Sequence, residues 1–311
     1  MQELPLSDNP VFVVGMPRSG TTLVSNLINS SEQIFIPEET HFFAQLSELR
    51  SLNNAEYNSK YLDLSNVYTR SWMLSPEQME FIKSSTNPKQ LFERLISCLL
   101  KKRNVKCARW GEKTPLHLMH INDILELYPN AKIIHIIRDP RDVFRSMISA
   151  DWMRLFPYDQ MIRSYKCSTK LHMDSTNENV YSLKFEDLVQ NPSQYIGEIY
   201  EYIGLEYDNT VLENFWSSRY LNFSSEHEPW KINNQSKIDS STVYRWKHHK
   251  NENLVRFISE KLKGEIELLE YEGLRDNGLD FAYLLYKWKI WVSIRTKKIK
   301  NKLISFNWLF R

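Results

Sequence analysis

The sequence lacks the features that mark secreted, disulfide-bonded and membrane-spanning proteins. Its three cysteines, Cys98, Cys107 and Cys167, are odd in number and form no C-x-x-C pair, so neither a disulfide framework nor a zinc site is indicated. The N-terminus has no basic segment followed by an apolar one, as a secretory signal would have. No stretch reaches the roughly 18 uninterrupted apolar residues of a spanning helix, because Lys287 and Lys289 break the best candidate. We therefore expect a cytoplasmic protein that does not cross a membrane.

Acidic residues are absent from the end of the chain. Residues 281–311 hold eight Lys and Arg but no Asp or Glu, whereas the remainder of the chain is mildly acidic. Aromatic residues such as Trp288 and Trp291 lie between the basic ones. This composition suits an amphipathic segment at an anionic membrane surface or on a partner protein, and equally a C-terminal helix packed on the domain. Basic and aromatic groups also bind single-stranded nucleic acid, but nothing else in the sequence favours such a partner, so none is expected.

The order of patterns along the chain indicates an α/β fold. Three β-rich runs, residues 11–14, 132–137 and 180–185, alternate with helical patterns, as in βαβ units that build a mainly parallel sheet. The run KIIHII, residues 132–137, is apolar almost throughout, which is typical of a central strand covered on both faces. We predict a mainly parallel central sheet flanked by helices.

The length of the chain allows one large domain followed by a tail. We expect residues 1–280 to form a single domain and residues 281–311 to form a separate basic, aromatic segment. Between residues 42 and 104 the apolar period is helical, with two helix starts, Ser75-Pro76 and Asn87-Pro88, that each place Gln where a capping box needs it. We interpret residues 42–104 as a helical insertion that shapes the wall of a second-substrate site, with a purely structural packing layer as the alternative.

The sequence also lacks the lysine of a standard phosphate-binding loop. GMPRSGTT, residues 15–22, follows the first β-rich run and has both glycines of G-x-x-x-x-G-K-[ST], but Thr21 stands in the lysine's place. A strand, a tight turn and a helix N-terminus still gather unpaired backbone N–H groups, which makes an anion site. A plain strand-to-helix turn is the alternative. We predict that a phosphate or sulfate is bound by Arg18, Ser19, Gly20, Thr21 and Thr22.

A second stretch, GEKTP at residues 111–115, places a lysine beside an expected helix start. Thr114 is an expected N-cap and Pro115 an expected first helical residue, with the helix running toward Leu127. Lys113 then lies just outside the helix N-terminus, where a second set of donors can face an anion. The alternative is a capped helix whose lysine is merely solvated.

A third stretch, IIRDPRDVFRSMIS at residues 136–149, joins the second β-rich run to a helix. Arg138 ends the run at the edge where open α/β sheets bind ligands, and Ser146 lies two turns along the helix, so both can reach one phosphate. In the alternative interpretation Arg138 pairs with Asp139 or Asp142. We expect two further arginines, Arg141 and Arg145, to face solvent.

These three stretches, in this order, resemble the sulfotransferases that use 3′-phosphoadenylyl sulfate (PAPS). In that family a loop like GMPRSGTT binds the 5′-phosphosulfate, and a segment like RDPRDVFRS binds the 3′-phosphate. Residues 181–205 resemble the strand, acidic-Leu turn, Asn-Pro and helix that follow in the family. The resemblance covers most of residues 10–275 and implies a P-loop NTPase-like sulfotransferase fold, with PAPS as co-substrate and no metal.

Within this family the chain is most similar to the tyrosylprotein-type branch and its bacterial relatives. PEETH, residues 37–41, resembles the Glu-Glu-Thr segment of that branch, which implies Glu39 as the general base and Glu38 as the runner-up. Lys113 matches the catalytic lysine, and Arg18 is expected to act with it. SKIDSSTVYRW, residues 236–246, resembles the late loop that closes over the nucleotide, in which Ser236 and Lys237 match.

The chain departs from the family pattern at three positions. Phe185 stands where many relatives have Tyr, Ala150 where the tyrosylprotein branch has a further Arg, and His41 where an Arg helps to hold the peptide acceptor. His41 is also a competing candidate for the base. Three other histidines are expected to be structural: His117 and His120 in the helix expected after GEKTP, and His135 in the run KIIHII.

The resemblance predicts the transfer of a sulfuryl group from PAPS to an acceptor hydroxyl on a glycan or a tyrosine-containing polypeptide. Two other classes remain open. A P-loop kinase or NTPase would require Mg²⁺ and ATP, and the missing lysine disfavours it. A non-catalytic nucleotide-binding protein with the same fold would bind the nucleotide and form no product.

Overall fold

The chain forms two compact units. The computed structural model describes residues 5–37, 39–49, 58, 61–62, 74–102, 104, 109–150, 157–174, 176–215, 238–274 and 281–308. The first unit comprises Met1–Ile137 and Asp174–Ser240, and the second comprises Arg138–Met173 and Ser241–Arg311. The expected division into a domain of residues 1–280 and a tail of residues 281–311 stays a prediction.

A parallel sheet lies in the first unit. Among the described residues it has four strands, β1 (Val11–Gly15), β2 (Gly111–Lys113), β3 (Lys132–Ile137) and β4 (Val180–Lys184), in the order β2-β1-β3-β4. Neighbouring strands are parallel throughout. Strand β1 is wholly buried and β3 is buried after its first residue, as central strands of a parallel sheet should be. The predicted α/β class is confirmed.

Strand β2 differs from the helix start expected at GEKTP. It has three residues, Gly-Glu-Lys, all buried, and Val13 of β1 lies opposite Lys113. The expected helix is also different. Residues Pro115–His120 form a 3-10 helix with no side-chain cap, and the Thr114 oxygen accepts from the backbone N–H of His41 instead. An α-helix begins only at Ile121, so Lys113 lies at the end of a strand rather than beside an α-helix N-terminus.

Helices occupy most of the remaining described chain. The two helix starts predicted before Pro76 and Pro88 are confirmed, the first with a complete capping box between Ser75 and Gln78. In chain order the α-helices are α1 (Thr21–Asn29), α2 (Phe42–Leu49), α3 (Pro76–Lys83), α4 (Pro88–Lys102), α5 (Ile121–Leu127), α6 (Pro140–Ser149), α7 (Tyr158–Met173), α8 (Phe185–Gln190), α9 (Pro192–Ile203), α10 (Thr210–Asn214), α11 (Glu252–Lys261), α12 (Lys263–Leu268) and α13 (Phe281–Trp308).

An aromatic cluster holds α2 and α4 against the sheet of the first unit. Phe12 of β1, Phe43 of α2 and Phe92 of α4 pack with Trp110 and Tyr128 at ring-centroid distances of 5.4 to 6.3 Å, mostly edge to face. Each such pair contributes about 0.5–1.5 kcal/mol beyond the burial of its area. The cluster therefore fixes the start of α2, and with it the residues that immediately precede this helix.

In the second unit, α13 packs one of its faces on α11. Tyr283 and Ile290 of α13 are buried, and the Tyr283 hydroxyl donates to Glu260. The Tyr286 ring lies 6.4 Å from that of Phe257. Residues 281–308 form one helix, and its part from Tyr283 to Ile290 packs on one side, which agrees with one of the two interpretations of the basic segment. No described helix is both long enough and apolar enough to span a bilayer.

Candidate active site

The predicted phosphate loop connects β1 to α1, and its two glycines are required by close approaches of the backbone. A Cβ on Gly15 would lie 2.4 Å from the carbonyl oxygen of Ile136. Gly20 has a φ of 108°, and a Cβ there would lie 2.4 Å from Cδ2 of the Phe185 ring. No ordinary side chain fits at either position, so the two glycines set the path of the loop.

The donors of this loop suit an anion. The first turn of α1 has no acidic residue, and its N-cap, Gly20, offers no side-chain cap, so no cap competes with an anion for the backbone N–H groups at this end. Ser19 is fully buried, and within the described part of the chain its hydroxyl has no hydrogen-bond partner. A buried hydroxyl without a partner is costly unless a ligand satisfies it. Thr21 is buried, and Arg18 and Thr22 are partly exposed.

Glu39 and Lys113, predicted as base and catalytic cation from separate stretches, are in direct contact. Nζ of Lys113 lies 2.6 Å from Oε1 of Glu39. The lysine side chain is fully buried, while the glutamate side chain is 15% exposed. A buried ammonium needs a paired carboxylate, and the partial exposure of Glu39 leaves this carboxylate accessible to a second partner. Nε2 of His41 lies 3.4 Å from Oε2 of Glu39.

A second carboxylate, Glu112, organises the backbone on either side of this pair. Glu112 is fully buried, and its Oε1 accepts from the backbone N–H and the hydroxyl of Thr40, at 3.1 and 2.9 Å, and from the hydroxyl of Thr114. The Thr114 oxygen in turn accepts from the backbone N–H of His41. Glu112 thereby joins residues 39–41 to residues 112–114. No pattern within GEKTP indicates this role of Glu112, because its partner Thr40 lies 72 positions away in the chain.

His117 completes the environment of Glu112 and is structural, as expected. Its Nε2 accepts from the backbone N–H of Phe43, so the ring proton is on Nδ1, which lies 2.9 Å from Oε2 of Glu112. Burial lowers the pKa of His117, so that the ring is neutral. Burial opposes ionisation of Glu112, but His117 and the hydrogen bonds from Thr114 and Thr40 outweigh it and lower the pKa of Glu112. Glu112 is therefore a buried carboxylate held by neutral donors.

The second unit holds the arginine that the sequence predicts as a phosphate ligand. A nitrogen of the Arg138 guanidinium donates to the carbonyl of Thr242 at 2.6 Å and lies 3.7 Å from Oδ2 of Asp142. Asp142 is fully buried, and its Oδ1 accepts from the backbone N–H of Trp246 at 2.8 Å. The contact with Asp142 agrees with the alternative interpretation of Arg138, and its role as a phosphate ligand stays a prediction. Ser146 lies on the same helix, α6, and is partly exposed.

The prediction that Arg141 faces solvent is wrong. Arg141 is 1% exposed and binds both oxygens of Asp139 at 2.9 and 2.7 Å. It also donates to the carbonyl of Glu272, and its guanidinium lies 3.6 Å from the ring centroid of Trp246. Asp139 is the N-cap of α6 and fixes the arginine beside it. Arg145 is partly exposed, 3.4 Å from Asp142.

Other predicted site residues remain untested. Glu38, Ser236 and Lys237 lie outside the described residues. Among the residues that the structure describes, no group of three His, Cys, Asp or Glu side chains is arranged to hold a metal ion. The expectation that the reaction needs no metal stays a prediction.

Residues 10–209 match the sulfotransferase family. The chain is 24% identical over 225 residues to the protein-tyrosine sulfotransferase of Drosophila melanogaster, covering 68% of this chain and 40% of that protein. It is 24% identical over 259 residues to the omega-hydroxy-beta-dihydromenaquinone-9 sulfotransferase of Mycobacterium bovis, covering 65% of this chain and 64% of that protein. The chain thus spans less than two thirds of either relative.

A solved structure shares the fold. The sulfotransferase domain of the Synechococcus PCC 7002 olefin synthase superposes with a TM-score of 0.59 at 21% identity, covering 88% of this chain and 99% of that domain. The sulfotransferase domain from the curacin biosynthetic pathway superposes with a TM-score of 0.55. The predicted sulfotransferase fold is confirmed.

Proposed function

This chain belongs to the sulfotransferase family, and on that premise we propose that it transfers a sulfuryl group from PAPS to an acceptor hydroxyl. The observation that carries the proposal is the contact of 2.6 Å between Glu39 and Lys113. Lys113 ends β2 and the phosphate loop leaves β1, the neighbouring parallel strand, so both lie at the carboxyl edge of one sheet. Ligands of open α/β sheets bind at this edge.

The residues of the loop fit the 5′-phosphosulfate of PAPS. The buried hydroxyl of Ser19 and the backbone N–H groups at the start of α1 offer hydrogen bonds, and Arg18 offers a positive charge. Gly20, Thr21 and Thr22 are proposed to position the group. We assign the 3′-phosphate to Arg138 and Ser146, and a further contact with the nucleotide to Ser236 and Lys237.

Glu39 is proposed to act as the general base. It accepts the proton of the acceptor hydroxyl as the new bond forms between the acceptor oxygen and sulfur. The bond between sulfur and the bridging phosphate oxygen breaks, and 3′-phosphoadenosine 5′-phosphate leaves with the electron pair. Lys113 and Arg18 stabilise the charge that develops on this oxygen, and one such donor contributes about 3–4 kcal/mol to lowering a barrier. His41 is the competing base.

We propose that the acceptor hydroxyl belongs to a glycan or to a tyrosine-containing polypeptide. The name of the Drosophila relative supports a protein tyrosine, and that of the mycobacterial relative adds a lipid hydroxyl to the compounds worth testing. We also propose the cytoplasmic location expected from the sequence, with peripheral contact at a membrane surface through residues 281–311; this location does not depend on the reaction.

The test combines ligand-induced stabilisation with product analysis. PAPS should raise the melting temperature, whereas ATP with Mg²⁺ should not. A panel of tyrosine peptides, glycans and hydroxylated lipids should then yield a sulfated product by mass spectrometry, and Glu39→Gln should abolish it. Glu77→Gln, an exposed glutamate on α3, is the matched control and should leave the rate unchanged.

Three outcomes would contradict the proposal. Stabilisation by ATP with Mg²⁺ but not by PAPS would favour a kinase or NTPase. Stabilisation by PAPS without any sulfated product across the panel would favour a non-catalytic nucleotide-binding protein. Equal product from Glu39→Gln and the unchanged protein would remove Glu39 as the base and direct attention to His41.

A further inference from the structure

Helix α13 presents large apolar side chains on the side opposite its packed face. The exposed residues recur at spacings of three and four, so they lie along one side of the helix. Tyr283 and Ile290, which are buried, lie on the other side. We call the exposed set the outer face of α13. Its members are Phe281 (82% exposed), Leu284 (49%), Leu285 (41%), Trp288 (59%) and Trp291 (50%).

Exposed apolar residues elsewhere in the described chain do not form such a stripe. The other large ones are Met119, Met173, Leu268 and Leu274, which lie on separate segments. Single exposed apolar residues are ordinary, but a contiguous set of two tryptophans, a phenylalanine and two leucines marks a binding surface. We therefore expect a binding partner to cover the outer face of α13.

The charge around the outer face is positive. Residues 281–311 contain no Asp or Glu. Lys287 pairs with Glu260 of α11, at 2.8 Å, and Arg295 lies over the Trp291 ring at 4.2 Å from its centroid. Lys289 is exposed. An occupant that accepts both the apolar side chains and the cations must be apolar and anionic together.

We propose that the outer face of α13 docks on the surface of an anionic lipid bilayer. Leucine and phenylalanine enter the acyl boundary, tryptophan rings suit the headgroup level, and Lys289 and Arg295 meet anionic lipid headgroups. A second copy of this chain would oppose one cationic helix with another, which disfavours a dimer through this face. The surface concerns location rather than chemistry, so it holds or fails independently of sulfuryl transfer.

The test is co-sedimentation of the full chain with vesicles of phosphatidylcholine, with and without phosphatidylserine. The unchanged protein should bind the phosphatidylserine vesicles more strongly, and added salt should weaken this binding because it screens the charges. The double variant Trp288→Ala/Trp291→Ala should lower the partition coefficient by about tenfold or more, since it removes two aromatic anchors. Lys289→Glu/Arg295→Glu should abolish the preference for phosphatidylserine.

Controls separate this proposal from folding and from the activity. Leu268→Ala removes an exposed leucine outside α13 and should leave vesicle binding unchanged. All variants should melt as the unchanged protein does and should keep the stabilisation by PAPS. Vesicle binding that is identical in the tryptophan variant overturns the proposal. A second outcome also overturns it. In that outcome the unchanged protein is a dimer by analytical ultracentrifugation, the tryptophan variant is a monomer, and the unchanged protein does not bind vesicles.

Discussion

Glu112 in the first unit and Asp142 in the second are both fully buried carboxylates, but they are held by different partners. Glu112 accepts hydrogen bonds from an amide, two hydroxyls and a neutral imidazole. Asp142 accepts one short bond from the Trp246 amide, while its two arginine partners lie at 3.4 and 3.7 Å. Among the described residues, its Oδ2 has no hydrogen-bond partner at all.

The difference separates two tasks. Short bonds from neutral donors fix a carboxylate in one geometry, because each donor loses its partner if the group moves. Longer contacts with cations depend on charge more than on direction and can be exchanged for another anion. Glu112 is thus suited to hold residues 39–41 against residues 112–114. Asp142 is suited to keep Arg138 in place until a phosphate takes over, as the proposed function requires.

The largest expected effect comes from removing the carboxylate of Glu112. Glu112→Ala leaves buried donors from Thr40, Thr114 and His117 without an acceptor, and we expect the free energy of unfolding to fall by about 3–5 kcal/mol. Urea unfolding measures this change. Glu112→Gln keeps one acceptor oxygen and should cost less. An unfolding midpoint for Glu112→Ala equal to that of the unchanged protein would show that these bonds do not hold the two segments together.

The next effect concerns the ion pair that Glu112 positions. Lys113→Met keeps the buried chain but removes the charge beside Glu39, and we expect kcat to fall by about 10²–10³, as for the loss of one oxyanion-hole donor. The sulfated product, followed over time, gives the rate. Lys83→Met on α3 changes an exposed lysine and serves as the control. A rate within a few-fold of normal would remove Lys113 from the catalytic step.

A smaller effect is expected in the second unit. Asp142→Asn keeps the acceptor for the Trp246 amide but removes the negative charge beside Arg138 and Arg145, which should lower the free energy of unfolding by about 1–2 kcal/mol. Asp159→Asn breaks the more exposed ion pair with Arg163 and should lower the free energy of unfolding by less than Asp142→Asn does. If Asp142→Asn proves as damaging as Glu112→Ala, the two carboxylates do not differ in the way proposed.

The smallest effect depends on pH. The pKa values of His117 and Glu112 are both lowered in the folded state, from ordinary values of 6.5 and 4.5, so the unfolded chain binds more protons in acid. The free energy of unfolding should therefore have its full value above pH 6.5. Below this pH it should fall by no more than about 1.4 kcal/mol per pH unit for each group. Urea unfolding between pH 5 and 8 checks this. In His117→Gln the slope near pH 6 should be shallower; an unchanged slope would exclude His117 as its source.

The parts of the fold that depend on local pattern could be predicted. KIIHII gave the bounds of β3, because a central parallel strand is apolar on both faces, and the capping box at Ser75 gave the start of α3. Strand β2 could not be found in this way. It has three residues, two of them charged, and it is a strand because β1 offers it hydrogen-bonding partners.

In the candidate site, too, residues in local motifs could be predicted, whereas contacts between distant segments could not. Glu39 follows from the family resemblance alone, whereas Lys113 is indicated by GEKTP and by that resemblance, and the structure shows the two side chains in contact. The surroundings of Arg141 could not be read from its neighbours, because the Glu272 carbonyl and the Trp246 ring that bury it lie more than a hundred residues further along the chain. Glu112 was missed for a similar reason, since Thr40 is 72 positions away.

The contact between Gly20 and Phe185 has an evolutionary consequence. The ring of Phe185 occupies the space that a side chain at position 20 would need, and the φ of 108° independently favours glycine there. Related sequences that keep an aromatic ring at position 185 should therefore keep glycine at position 20. Exchange between Phe and Tyr alters only the far end of the ring, so a hydroxyl can be gained or lost at position 185 without remodelling the loop.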